Sequence, residues 1–103
     1  MKNVAIYARV STNEQDPDMQ LMALREYAQK RSFRIFEEYV DIISGKTESR
    51  EHYDRLFDDV RKRKIDIVLV WKFDRFARST KALISALDEF IGLGVDFISY
   101  QEN

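Results

Sequence analysis

The chain contains no cysteine, one histidine, one proline and three glycines in 103 residues. Without cysteine there is no disulfide framework and no thiolate metal site, and His52 alone leaves too few ligands for a typical zinc centre. No apolar run approaches the roughly 20 residues that span a bilayer. Met1-Lys2-Asn3 leads directly into a strand pattern rather than into a signal-peptide core, so a cytoplasmic protein with no membrane partner is expected. An excess of one charge is also missing: 17 basic residues face 18 acidic ones, for a formal net charge of -1. No global field therefore draws the chain onto nucleic acid, and any polyanion must be held by a local patch. What remains, at 45% hydrophobic residues, suits one globular domain with a modest core and is too short for two.

Val4 to Ala8 forms a near-continuous apolar run, the pattern of a parallel strand covered on both faces. Asp16 before Pro17 reads as an N-cap and first helical position, and Leu21, Leu24 and Ala28 share one face of a helix running to about Arg31. Arg34 to Asp41 suits a less buried strand near the sheet edge. Ile42 to Arg50, with Ser44-Gly45-Lys46-Thr47-Glu48-Ser49, has neither period and reads as a loop. From Glu51 to about Lys64, Tyr53, Leu56, Phe57 and Val60 follow helical spacing, and Arg61-Lys62-Arg63-Lys64 reads first as a solvated helix end and second as a phosphate-tracking patch. Ile65 to Trp71 is the most hydrophobic stretch and the expected central strand. Ser79 caps a helix with Leu83, Leu87, Phe90 and Ile91 on one face, ended by Gly92 or Gly94, and Val95 to Tyr100 is a fourth strand.

Strands alternating with helices predict right-handed βαβ units and an open, mainly parallel sheet with helices on both faces, a three-layer flavodoxin-like α/β arrangement. Ligands of such sheets sit beyond the carboxyl ends of the strands. That rule gathers Arg9 and Ser11 after the first strand, Arg50 after the second, and Asp74, Arg75 and Arg78 after the third. Four permanently charged guanidiniums around a serine describe an anion site with a candidate nucleophile, suited to charge developing on a phosphoryl group. Asp74 is the candidate for orienting the arginines or for acid/base work on the leaving oxygen. A Ser-His-Asp relay is poorly supported by one histidine placed behind Arg50. Gly45-Lys46-Thr47 resembles the end of a phosphate loop, but Val40 stands where that motif needs its first glycine. A flavodoxin-like cofactor binder stays compatible with the alternation, whereas a receiver domain lacks its acidic cluster after the first strand.

Tyr7-Ala8-Arg9-Val10-Ser11-Thr12 with Gln15 and Gln20, Ser44-Gly45 leading to Arg50, and Asp74-Arg75-Phe76-Ala77-Arg78 together resemble the catalytic domain of the serine recombinases, the resolvase and invertase family. The resemblance spans almost the whole chain, with Phe76 where leucine is common. It implies a site-specific DNA recombinase that works without metal, cofactor or external energy source. In it Ser11 attacks a DNA phosphodiester to give a 5′-phosphoserine linkage, and strand exchange and religation follow. Arg9, Arg50, Arg75 and Arg78 would hold the scissile phosphate, Asp74 would assist, and Tyr7, Gln15 and Gln20 would support the site. DNA and further copies of the chain, from dimer to tetramer, are the implied partners. The family continues into a dimerisation helix and a DNA-binding domain, so residues 1–103 are expected to carry the chemistry without the recognition and to be inactive alone. Two other readings are a catalytically silent regulatory or oligomerisation module of this fold, and a phosphate or nucleotide binder.

Overall fold

The structure, a computed structural model, describes residues 1–11, 17–44, 47–48 and 50–102. Five strands form one sheet, β1 (Asn3–Ser11), β2 (Arg34–Ser44), β3 (Thr47–Glu48), β4 (Ile67–Val70) and β5 (Asp96–Ser99), in the order β3-β2-β1-β4-β5. All neighbours are parallel except the short β3, which runs antiparallel to β2. Helix α1 (Pro17–Lys30) covers one face, where Leu21, Leu24 and Ala28 meet Val4, Ile6, Ala8, Ile67 and Leu69. Helices α2 (Glu51–Arg61) and α3 (Thr80–Gly92) cover the other, where Leu56, Phe57, Val60, Ala86 and Phe90 meet Ala5, Tyr7, Tyr39, Val68 and Val70. The expected open sheet with helices on both faces is what the chain forms.

The middle of the sheet belongs to β1 rather than to the more apolar β4. β1 is paired on both sides and buries five consecutive residues, Val4 to Ala8, completely. The expected loop after Asp41 is also corrected. β2 runs on to Ser44 because Ile42 and Ile43 keep pairing with Val10 and Ser11, and Thr47–Glu48 folds back on it as β3. Gly45, Lys46 and Ser49, like Asp16 and Gln15, lie outside the described residues.

One irregularity in β2 decides which residues reach the site. The β1–β2 register steps from Val4 opposite Ile35 to Ala5 opposite Glu37, so β2 carries one extra residue. Such a bulge resets the alternation of faces. Phe36 already packs on the α2–α3 side, and after the bulge so do Glu37, paired with Arg55 of α2 at 2.7 Å, and Tyr39. Glu38 turns the other way and takes two guanidinium hydrogen bonds from Arg25 of α1. Without the extra residue Asp41 would lie under α1.

All three helices end alike. Ser32, Arg63 and Gly94 adopt positive φ (59°, 63° and 72°), and the next amide donates back to the carbonyl five residues earlier, as in Phe33 N to Ala28 O, Lys64 N to Asp59 O and Val95 N to Phe90 O. The left-handed Arg63 stops α2 at Arg61, short of the expected Lys64, and Arg61 lies against Glu89 of α3. The Ser79 hydroxyl accepts from Ala82 N at 3.1 Å, the expected cap of α3. Ile91 does not join that helix's buried face: it is 75% exposed, turned outward with Ile84 seven residues earlier.

Candidate active site

Alternation along β1 sends Val4, Ile6, Ala8 and Val10 to the α1 layer and Ala5 and Tyr7 to the α2–α3 layer. Arg9 and Ser11, two and four residues beyond Tyr7, therefore leave the strand on the α2–α3 side. The segment after β4 enters a single 3₁₀ turn, Phe73–Arg75, on the same side. Arg9 Nη2 donates to Asp74 O at 2.7 Å, and Arg75 Nη1 donates in return to Arg9 O at 3.3 Å. Arg50, the N-cap residue of α2, donates from Nη2 to Phe76 O at 3.0 Å and lies with Cζ 3.8 Å over the Tyr53 ring. Three guanidiniums from three sheet-edge segments thus each hold a backbone carbonyl of a neighbouring segment, which fixes their positions relative to the turn after β4.

The foundation of this cluster is a residue that the sequence reading passed over. Asp41 of β2, opposite Arg9, is 1% exposed. Its Oδ2 accepts from Tyr7 OH at 2.8 Å and Tyr53 N at 3.0 Å, and its Oδ1 accepts from His52 N at 2.9 Å and lies 3.0 Å from His52 Nδ1. Arg50 offers α2 no side-chain cap, so the carboxylate of a neighbouring strand satisfies the orphan amides of the first turn instead. The available signal was an aspartate in an otherwise apolar and aromatic strand, followed by a helix that lacks a capping residue. Burial first, then the bond to Asp41, pushes the Tyr7 phenol well above its ordinary range. Tyr7 thus lies within the core, edge-on to Tyr53 and Phe76.

The remaining expected residues fall into place unevenly. Ser11 is half-buried at the end of β1, and Arg78 is exposed beside a cleft lined also by Asp74, Ala77 and Thr80. The Asp74 carboxylate is 73% exposed, 3.8 Å from Lys72 Nζ, and it is the residue's carbonyl, not its side chain, that engages Arg9. Gln20, which reads on its own as a surface amide, is buried at 5% exposure in α1, on the far side of the sheet from Arg50. Among the described residues no cluster of three or more histidine or carboxylate side chains could hold a metal ion, and no helix is long and apolar enough to cross a membrane.

Comparison with known proteins gives this cluster a context. The chain is 35% identical over 97 residues to the Transposon Tn917 resolvase of Enterococcus faecalis, covering 94% of this chain and 48% of that protein. It is 38% identical over 97 residues to the serine recombinase gin of Escherichia phage Mu, covering 94% and 46%. The crystal structure of the N-terminal catalytic domain of TP901-1 integrase superposes with a TM-score of 0.84 at 37% identity, covering 98% of this chain and 78% of that one. The chain spans about half the length of these curated relatives. The family model for the resolvase N-terminal domain matches residues 4–103, which takes in β1 with Arg9 and Ser11, the Asp41 knot and the arginines after β4, and the chain belongs to the resolvase family.

Proposed function

We propose that the full-length protein is a site-specific DNA recombinase and that residues 1–103 carry its chemistry. Ser11 Oγ attacks the phosphorus of a DNA phosphodiester; the Oγ–P bond forms as the P–O3′ bond breaks, leaving a 5′-phosphoserine and a free 3′-hydroxyl. The seryl ester conserves the phosphodiester, so attack by a 3′-hydroxyl after strand exchange rejoins DNA without an external energy source. Arg9, Arg50, Arg75 and Arg78 bind the scissile phosphate and offset the charge that grows on its oxygens, an effect for which one well-placed arginine contributes about 10³–10⁵ in rate in other phosphoryl-transfer systems. Asp74 and Gln20 assist, Gln15 supports the Ser11 loop, and Tyr7 acts through Asp41. DNA and further copies of the chain, from dimer to tetramer, are the partners of the whole protein.

The observation that carries this reading is the interlock of Arg9, Arg50 and Arg75 around the 3₁₀ turn, on the side of the sheet where Ser11 leaves β1. Arginine forks fixed in this way match phosphate oxygens geometrically, which a lysine cannot copy. The test uses the full-length protein, with DNA that it selects from a random-sequence library placed in a supercoiled plasmid. Arg9→Lys and Arg50→Lys should each lower cleavage on the order of 10²-fold or more while site binding persists. Cleavage at the wild-type rate in both would contradict the assignment.

A further inference from the structure

The reaction proposed above needs a proton for the 3′ oxygen as it leaves, and Asp74 is the sequence-based candidate either for that task or for orienting the arginines. The Asp74 carboxylate is a weak candidate on geometry: it is largely exposed, and its ion-pair partner among the described residues is Lys72, 3.8 Å away. His52, the one imidazole of the chain, is better held. Its Nδ1 lies 3.0 Å from Oδ1 of the buried Asp41, the same oxygen that receives its backbone amide. An ionised carboxylate can only accept, so the contact places a proton on Nδ1 and gives Nε2 the task of exchanging a proton with a substrate. The ring is 39% exposed and so stands between the core and solvent. It belongs to the first turn of α2, two residues after Arg50. Asp41 and Ser11 share the α2–α3 side of adjacent strands, with Asp41 opposite Arg9 and Ser11 two residues on. Strand spacing of ~4.8 Å and a rise of ~3.3 Å per residue set their Cα atoms about 8 Å apart, so the carboxylate that holds the imidazole lies on the same side of the sheet as the serine and close to it.

We propose that His52, oriented by Asp41, is the proton donor to the leaving 3′ oxygen; this rests on the recombinase reading of Ser11. In cleavage the Nε2 proton of the imidazolium passes to O3′ as the P–O3′ bond breaks, and the Ser11 proton leaves to solvent. In religation the neutral imidazole takes the proton back from the attacking 3′-hydroxyl. The buried Asp41 carboxylate supports the imidazolium in the first half and fixes the ring in both, the division of labour of a His-Asp pair in acyl transfer.

The test compares two synthetic duplexes of the sequence that the full-length protein cleaves, one natural and one with sulfur replacing the bridging 3′ oxygen at the cleaved position. A thiolate leaves without a proton, so sulfur removes the need for a general acid. His52→Asn keeps a donor in the place of Nδ1 and deletes Nε2. It should cleave the natural duplex about 10²–10⁴-fold more slowly than wild type, the usual range for a general acid, and the sulfur duplex within a few-fold of it. His52→Gln should behave alike, and melting curves of both variants report whether the fold is intact. Equal losses on the two duplexes, or none on either, would overturn the proposal while a wild-type adduct on Ser11 upholds the recombinase reading. Recovery by sulfur in Asp74→Asn but not in His52→Asn would return the role to Asp74. Failure of the wild type to form any Ser11 adduct on either duplex would overturn the recombinase reading itself, and this proposal with it.

Discussion

Replacing Asp41 by asparagine keeps the shape of the side chain and removes one acceptor, which makes it a direct probe of the knot beneath the arginines. The two carboxylate oxygens face four polar groups: Tyr7 OH and Tyr53 N at Oδ2, His52 N and His52 Nδ1 at Oδ1. An amide has one oxygen. Whichever way it turns, its NH₂ group confronts a backbone amide of α2, either Tyr53 N–H or His52 N–H, and a buried donor left unmatched costs about 1–3 kcal/mol. The hydrogen bonds that survive lose their ionic partner, which weakens each by roughly half. Together the loss comes to about 3 kcal/mol, a large share of the ~5–15 kcal/mol that holds a domain together. Tyr7→Phe, by contrast, removes one donor and leaves Oδ2 bonded to Tyr53 N, for about 1 kcal/mol. Urea unfolding of residues 1–103 measures both, and thermal unfolding should show the asparagine variant melting on the order of 15 °C lower. An asparagine variant within about 1 kcal/mol of wild type, or a Tyr7→Phe variant that is the less stable of the two, would refute the reasoning.

Tyr7 and Tyr39 both have phenols raised by burial and by a carboxylate partner, Asp41 and Asp59, so both stay protonated where the unfolded chain has begun to ionise. Their contribution is complete below pH ~10 and is lost above it, at about 1.4 kcal/mol per pH unit for each tyrosine; alkaline unfolding curves should lose one such increment of slope in Tyr39→Phe, and an unchanged slope would count against the assignment. Arg25 holds the Glu38 carboxyl, and Arg61 that of Glu89, below the ordinary range, so stability present above pH ~4.3 should fall as the pH drops below it, a decline that Arg25→Gln reduces in acid titrations of unfolding. Arg63, at φ 63°, holds a conformation that a side chain disfavours by roughly 1 kcal/mol. Arg63→Gly should raise the urea midpoint, and a lower midpoint would show that the Arg63 contact with Leu93 O outweighs the strain.

What could be read from the chain beforehand depended on whether a residue's role was local. The runs Val4 to Ala8 and Ile67 to Val70, and the helical stripes Leu21-Leu24-Ala28 and Leu56-Phe57-Val60, speak through period alone, and their elements formed as expected. Ser79 capped its own helix for the same reason. Asp41 was not legible, because its partners lie on another strand and on a helix, and only the bulge at Phe36–Glu37 turns it toward them. Gln20 and Ile91 misled in opposite senses: burial there is set by which part of the sheet each helix covers, which spacing within a helix does not specify. Arg63 carried no turn signal, since glycine is the usual occupant of that conformation. Among the site residues, Arg9, Arg50 and Arg75 are brought together by backbone carbonyls, partners that no sequence motif displays.

The most direct measurement is to trap the full-length protein on supercoiled DNA carrying its selected site, quench with denaturant, digest, and locate the phosphodeoxynucleotide-bearing peptide by mass spectrometry. The account predicts a single adduct, on Ser11, attached to DNA 5′ ends and absent in Ser11→Ala. Cleaved DNA with free 5′ ends, or an adduct on any other residue, would contradict it.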